Sequence, residues 1–124
     1  MSKNTEPIPY EYDEQKAIFT WVKYAIHEYP DLWLLNGSLN GVRLNIGQAV
    51  KCKKIGMKKG YPDVFLPVPT VLYSGLFIEL KRIKGGSVSK EQKEWLLRLE
   101  LNGYKAVVCR GADEAIRVIK EYLK

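Results

Sequence analysis

Residues 60–82, "GYPDVFLPVPTVLYSGLFIELKR", hold two short β-rich runs, 62–66 and 76–82, joined by a nine-residue connection that contains Pro67 and Pro69. Two such runs so spaced predict an antiparallel strand pair. The pair is apolar enough to be the heart of a small fold, yet Asp63, Glu79 and Lys81 lie inside it. Successive side chains on a strand point to opposite faces. Leu76, Ile78 and Leu80 therefore share one face, expected to be core, and Phe77, Glu79 and Lys81 share the other, where an acid and a base stand side by side.

The rest of the chain supplies elements to cover that pair. Apolar residues Ile18, Val22, Ala25, Ile26 and Tyr29 recur at helical spacing from about Asp13 to Tyr29, where Pro30 stops the run. "DLWLLNG" reads as a short strand ended by Asn36 and Gly37, and "IGQAVKCKKIGMKKG" as a weakly helical, lysine-rich segment. After the strand pair, Ser89 and Gln92 have capping-box spacing at the start of a helix that Gly103 would close. "AVVCR" is a buried strand, and Ala115, Ile116, Ile119 and Leu123 mark a last amphipathic helix over Asp113 to Leu123. This order predicts an α/β fold, a mixed central sheet flanked by helices, with a right-handed strand–helix–strand crossover near its end. At 124 residues the chain suits one domain, 1–124, with residues 1–10, which include Pro7 and Pro9, as an extended arm.

Composition narrows the function. A net charge of +6 and a pI near 9.3 favour an anionic partner, nucleic acid or a lipid surface. No run approaches about 18 apolar residues, and the start lacks a secretion signal, so a soluble intracellular protein is expected. Cys52 and Cys109 form no CxxC or Cys/His cluster and are read as reduced thiols. The single histidine, His27, rules out a three-histidine metal site or a paired-histidine phosphodiesterase. No G-x-S-x-G elbow is present for serine nucleophile chemistry.

Asp63 follows Pro62 at the head of its strand, where its carboxylate can approach Glu79. Two carboxylates brought together repel and are costly to desolvate unless a positive charge sits between them. Mg²⁺ suits such a pair, because it takes one or two carboxylates and completes its shell with water and phosphate oxygens; the backbone carbonyl of Leu80 is a further candidate ligand. Lys81 would then orient a water molecule, help remove its proton, or stabilise charge growing on a phosphate. A solvated strand face with an ordinary Pro-Asp turn is the alternative. Glu11 and Gln15 extend the apolar stripe of the first helix at its N-terminal end, and Gln92 extends the Trp95, Leu96, Leu99 stripe of the third, as if both helices aimed polar groups at one site. Arg43, Lys51, Lys53, Lys54, Lys58 and Lys59 precede the Asp63 strand and are expected to hold a phosphate backbone without reading its sequence; a solvated helix surface is the alternative.

Together, "GMKKGYPDVFLPVP", "YSGLFIELKR", "SKEQKEWLLRLELNGYKAVVCRGADEAI" and the Glu11-x-x-x-Gln15 helix resemble the VRR-NUC domain, a branch of the PD…ExK nuclease superfamily, from about residue 11 to the C-terminus. The resemblance implies a restriction-endonuclease-like core and a Mg²⁺- or Mn²⁺-dependent endodeoxyribonuclease. It makes Asp63 and Glu79 the metal-binding acids, with Glu11 and the Leu80 carbonyl beside them. Lys81 would be the catalytic lysine, and Gln92 a further site residue. Gln15, Arg43, Lys53, Lys54, Lys58 and Lys59 would face DNA. Small members similar to this chain, often encoded by phages or prophages, act as homodimers on branched DNA such as four-way (Holliday) junctions. No membrane and no small-molecule cofactor is expected. A catalytically silent, basic nucleic-acid-binding module on the same scaffold is the other reading, and an interaction protein whose acids form a structural ion-pair network is a third.

Overall fold

A computed structural model describes residues 7–124, so the part of the expected arm in residues 1–6 lies outside the described residues. Helix α1 spans Glu11–Ala25, with Glu11, Asp13 and Glu14 in its first turn, where carboxylates complement the helix dipole. It ends earlier than the expected Tyr29. Pro30 disfavours helical backbone at the residue before it, and Tyr29 takes up φ −123°, ψ 80°. The final turn loosens there, with the N–H groups of both Glu28 and Tyr29 donating to the Ala25 carbonyl.

"DLWLLNG" is not the strand its apolar run suggested. Pro30–Leu34 forms a 3-10 turn, and only Asn36–Gly37 pairs as strand β1. Leu32 and Leu35 stand three residues apart, the period of a 3-10 turn, and both are buried while Trp33 between them is 78% exposed. A second 3-10 turn, Leu39–Gly41, leads to helix α2, Ile46–Lys54, whose start is closed by a capping box between Asn45 and Gln48. None of the residues of α2 is fully buried.

Strands β2 (Val64–Leu66) and β3 (Leu76–Lys81) pair antiparallel as expected, with Val64 opposite Ile78. Helix α3 (Lys90–Leu101) then crosses to β4 (Lys105–Arg110), which lies parallel to β3, and helix α4 (Ala112–Tyr122) follows. The spatial order is β1-β2-β3-β4, a mixed sheet. Helices α1 and α4 pack on each other and on β3, enclosing Ile18, Val64, Leu66, Ile78, Leu80, Ala115 and Ile119. No helix among the described residues is long and apolar enough to cross a membrane.

All six residues of β3 are buried, so the expected division into one core face and one charged face is corrected. The Phe77 face is a second packed layer beneath α3. Phe77 stacks on Phe65 with ring centroids 4.1 Å apart, and Tyr61 and Tyr104 meet it edge-on. Glu79 and Lys81 continue that face, and they are therefore charges enclosed by protein rather than solvated ones.

Candidate active site

The antiparallel register, continued one residue beyond Val64–Ile78, sets Asp63 across from Glu79. The Leu80 N–H donates to Asp63 Oδ2 at 2.7 Å, which locks the carboxylate against β3. Asp63, Glu79 and Lys81 are 5%, 1% and 5% exposed. Lys81 Nζ stands 3.8 Å from Glu79 Oε2. Glu11 arrives from the first turn of α1, and Glu11, Asp63 and Glu79 each offer one carboxylate oxygen within 4.8 Å of the others.

Gln92 joins this cluster while capping its own helix. Its Oε1 accepts from the Ser89 N–H at 2.8 Å, its backbone N–H donates to Ser89 Oγ at 3.1 Å, and its Nε2 donates to Glu79 Oε2 at 3.2 Å. The capping bond fixes which end of the amide faces the acid. Gly60 lets α3 come this close. It sits at φ +89°, and a Cβ there would lie 2.7 Å from the backbone carbon of Glu91.

Electrostatically the cluster is short of positive charge. Burial, then the neighbouring Asp63 carboxyl, push the Glu79 carboxyl up to about 9, with the Glu11 charge adding to the rise and Lys81 opposing it. Glu79 Oε1 is buried and has no hydrogen-bond partner among the described residues. Among the described residues, three converging carboxylates, an orphaned oxygen on Glu79 and the Lys81 ammonium group fit a hard divalent cation, which prefers oxygen ligands and would relieve both the repulsion and the unmet acceptor.

The sequence did not single out Glu14 or Arg82. Glu14 is buried, its Oε2 has no partner among the described residues, and it shares the inward side of α1 with Ile18, four residues on, while Glu11 and Gln15 are half-buried at its flanks. That i, i+4 spacing from Ile18 was the available signal. Arg82 anchors the described part of the arm. Its Nη2 and Nε donate to the Ile8 and Pro9 carbonyls at 2.8 and 3.2 Å, and the guanidinium lies 4.8 Å from the Tyr10 ring centre. Arg82 thereby holds the segment that leads into Glu11.

The residues expected to face nucleic acid are more scattered. Lys53, Lys58 and Lys59 line one surface depression, with Lys59 Nζ also 3.3 Å from Glu91. Arg43, Lys51 and Lys54 are exposed. Gln15 lies against β1, its Nε2 beside Gly37 at a spot where a Cβ would collide with it. At Leu80, the observed link to the acids is its N–H.

A mixed sheet between helices, with an acid at the head of one strand and an acid-x-lysine in the next, defines a nuclease-type α/β fold. The VRR-NUC domain family matches residues 42–113, more than half of the chain, and the chain belongs to that family. A solved structure of a VRR-NUC domain protein is similar over 94% of this chain and 89% of its own, with a TM-score of 0.75 and 29% sequence identity. No curated protein matches the chain.

Proposed function

We propose that this protein is a Mg²⁺- or Mn²⁺-dependent endonuclease that hydrolyses phosphodiester bonds of branched DNA, four-way junctions included, and works as a homodimer. The observation that carries this reading is the convergence of Glu11, Asp63 and Glu79 within 4.8 Å, with Lys81 and Gln92 both on Glu79. Asp63, Glu79 and Glu11, with the Leu80 carbonyl, would hold the cation. When bound, it supplies Lewis acidity toward the scissile phosphate.

The chain's own groups do the remainder. The Leu80 N–H keeps Asp63 on the strand, and the Gln92 amide keeps Glu79 turned toward its neighbours. Lys81 places a positive charge where negative charge grows on the phosphate. The exposed Lys53, Lys54, Lys58 and Lys59, with Arg43, attract the DNA backbone, and a twofold dimer presents two equivalent sites for the paired cuts that resolving a junction requires.

Cleavage of a labelled four-way junction in Mg²⁺ or Mn²⁺ tests the reading. Wild-type protein cuts, and Lys81→Ala and Asp63→Asn each lose roughly a hundredfold or more in rate, the scale of removing a group that stabilises developing charge. Equal rates in the variants would overturn the site. Binding without any wild-type cleavage would transfer the protein to the class of silent binding modules.

A further inference from the structure

A depression of about 460 Å³, within the usual size range of ligand sites, is lined by residues that lead into the segments carrying Asp63 and Gln92. Its walls include Leu39, Asn40, Cys52, Met57, Tyr61 and Trp95, and Lys58 stands at its edge. Three of these walls are tied to the candidate catalytic groups. The Ser38 N–H, next to Leu39, donates to the Asp63 carbonyl at 2.8 Å. Tyr61 precedes Asp63 by two residues, and Trp95 follows Gln92 by three on α3, roughly one helical turn away.

The lining describes what would fit. Tyr61 and Trp95 stand edge-to-face, with ring centres 5.0 Å apart and planes at 84°, so a flat ring stacked parallel to one turns its own edge toward the other. Leu39 and Met57 add apolar surface, and the Asn40 amide offers both a donor and an acceptor. Lys53, Lys58 and Lys59 line the adjoining depression and supply positive charge for a phosphate chain. A flat, weakly polar ring attached to a polyanion is a nucleobase. In intact duplex that ring is stacked between its neighbours, whereas an unpaired base leaves the stack at small cost.

We propose that this depression receives one unpaired nucleobase beside the phosphodiester to be cut, so that DNA with unstacked bases at a fork, flap or junction is preferred over intact duplex. The inference rests on the nuclease reading and adds to it the feature by which substrate is selected. Every base has a stacking face, so the preference is for an unpaired base rather than for a sequence.

Cys52 supplies the probe. It lines the depression and is partly exposed, whereas Cys109 is buried and its thiol is pushed up to about 12 by that burial. The full chain is alkylated with iodoacetamide in EDTA, saturated either with a blunt duplex or with the same duplex ending in a single-stranded fork. The fork slows Cys52 alkylation about tenfold relative to the duplex, the scale of one base–aromatic stack. Equal protection by both DNAs, or none by the fork, overturns the proposal. Cys52→Trp, which fills the depression, brings the fork-to-duplex affinity ratio toward one, and an unchanged ratio in a folded variant overturns it equally. Because alkylation is read without cleavage, an active nuclease with equal protection sinks only the base subsite. Fork-specific protection in a protein that never cuts sinks the nuclease reading instead.

Discussion

Replacing Glu79 with glutamine should stabilise the metal-free protein, although it removes a central group of the proposed site. The Glu79 carboxyl rises from an ordinary 4.5 to about 9 on folding, chiefly through burial and the neighbouring Asp63. A folded-state value above the unfolded one means that the protonated form is favoured in the native protein. The stability this contributes is complete below pH 4.5 and is lost as pH rises toward 9. Each pH unit in that window costs about 1.4 kcal/mol, so moving from pH 5 to pH 8 costs up to about 4 kcal/mol. Glu79→Gln keeps the shape and the acceptor for the Gln92 amide but carries no titrating proton. Even at half the upper figure, the variant should melt on the order of 10 °C above wild type at pH 8 in EDTA, with the difference closing at pH 5. Saturating Mg²⁺ or Mn²⁺ should raise the wild-type melting temperature at pH 8 and leave the variant much less affected. Thermal unfolding followed by circular dichroism across pH 5–9, with and without cation, reads all of this. A metal-free wild type whose stability is flat over that range, or a variant destabilised equally at every pH, would refute the argument from enclosed, mutually repelling acids.

Three further outcomes follow from particular contacts. Ser89→Ala should cost about 1 kcal/mol of stability through the lost cap, and Gln92→Ala should cost a similar amount while also lowering cleavage more than Ser89→Ala does, because only Gln92 touches Glu79; chemical denaturation and single-turnover rates separate the two effects. Phe77→Ala should cost about 3–5 kcal/mol in urea unfolding, since the ring is buried between Phe65, Tyr61 and Tyr104; a loss below about 1 kcal/mol would mean that the second layer is loosely packed. Lys53→Ala and Lys58→Ala should each weaken DNA binding for all sequences alike and lower the slope of log affinity against log salt by roughly one; an unchanged slope would remove that lysine from the phosphate contacts.

Local pattern was enough to read much of this molecule. The run from 76 to 82 is β-rich and bounded by turn residues, Ser89 and Gln92 carry their helix start in their spacing, and a nine-residue connection suits the antiparallel pairing of β2 with β3. These are interactions between residues close in the chain, and their periods are written in residue order. Where the pattern misled, packing between distant segments had the decision. Leu32 and Leu35 satisfied the core from a 3-10 turn instead of a strand, because a three-residue period buries both and leaves Trp33 outside. The polar face expected on β3 lies buried beneath α3, since Phe65 of β2, Phe77 of β3 and Tyr104 just before β4 build a layer that no single strand announces. Sequence order likewise named Asp63, Glu79, Lys81, Gln92 and Glu11, but their distances depend on how β2, β3, α1 and α3 meet. Arg82 was not legible for the same reason, since an arginine after a strand acquires its meaning from partners up to 74 residues away, whereas the burial of Glu14 was signalled locally by its i, i+4 spacing from Ile18. By itself the sequence determined the elements and the chemical types available to a site; tertiary packing alone decided which charges are shut away from water, and the desolvation of Asp63 and Glu79, with half-buried Glu11 beside them, is the physical reason a cation is proposed there.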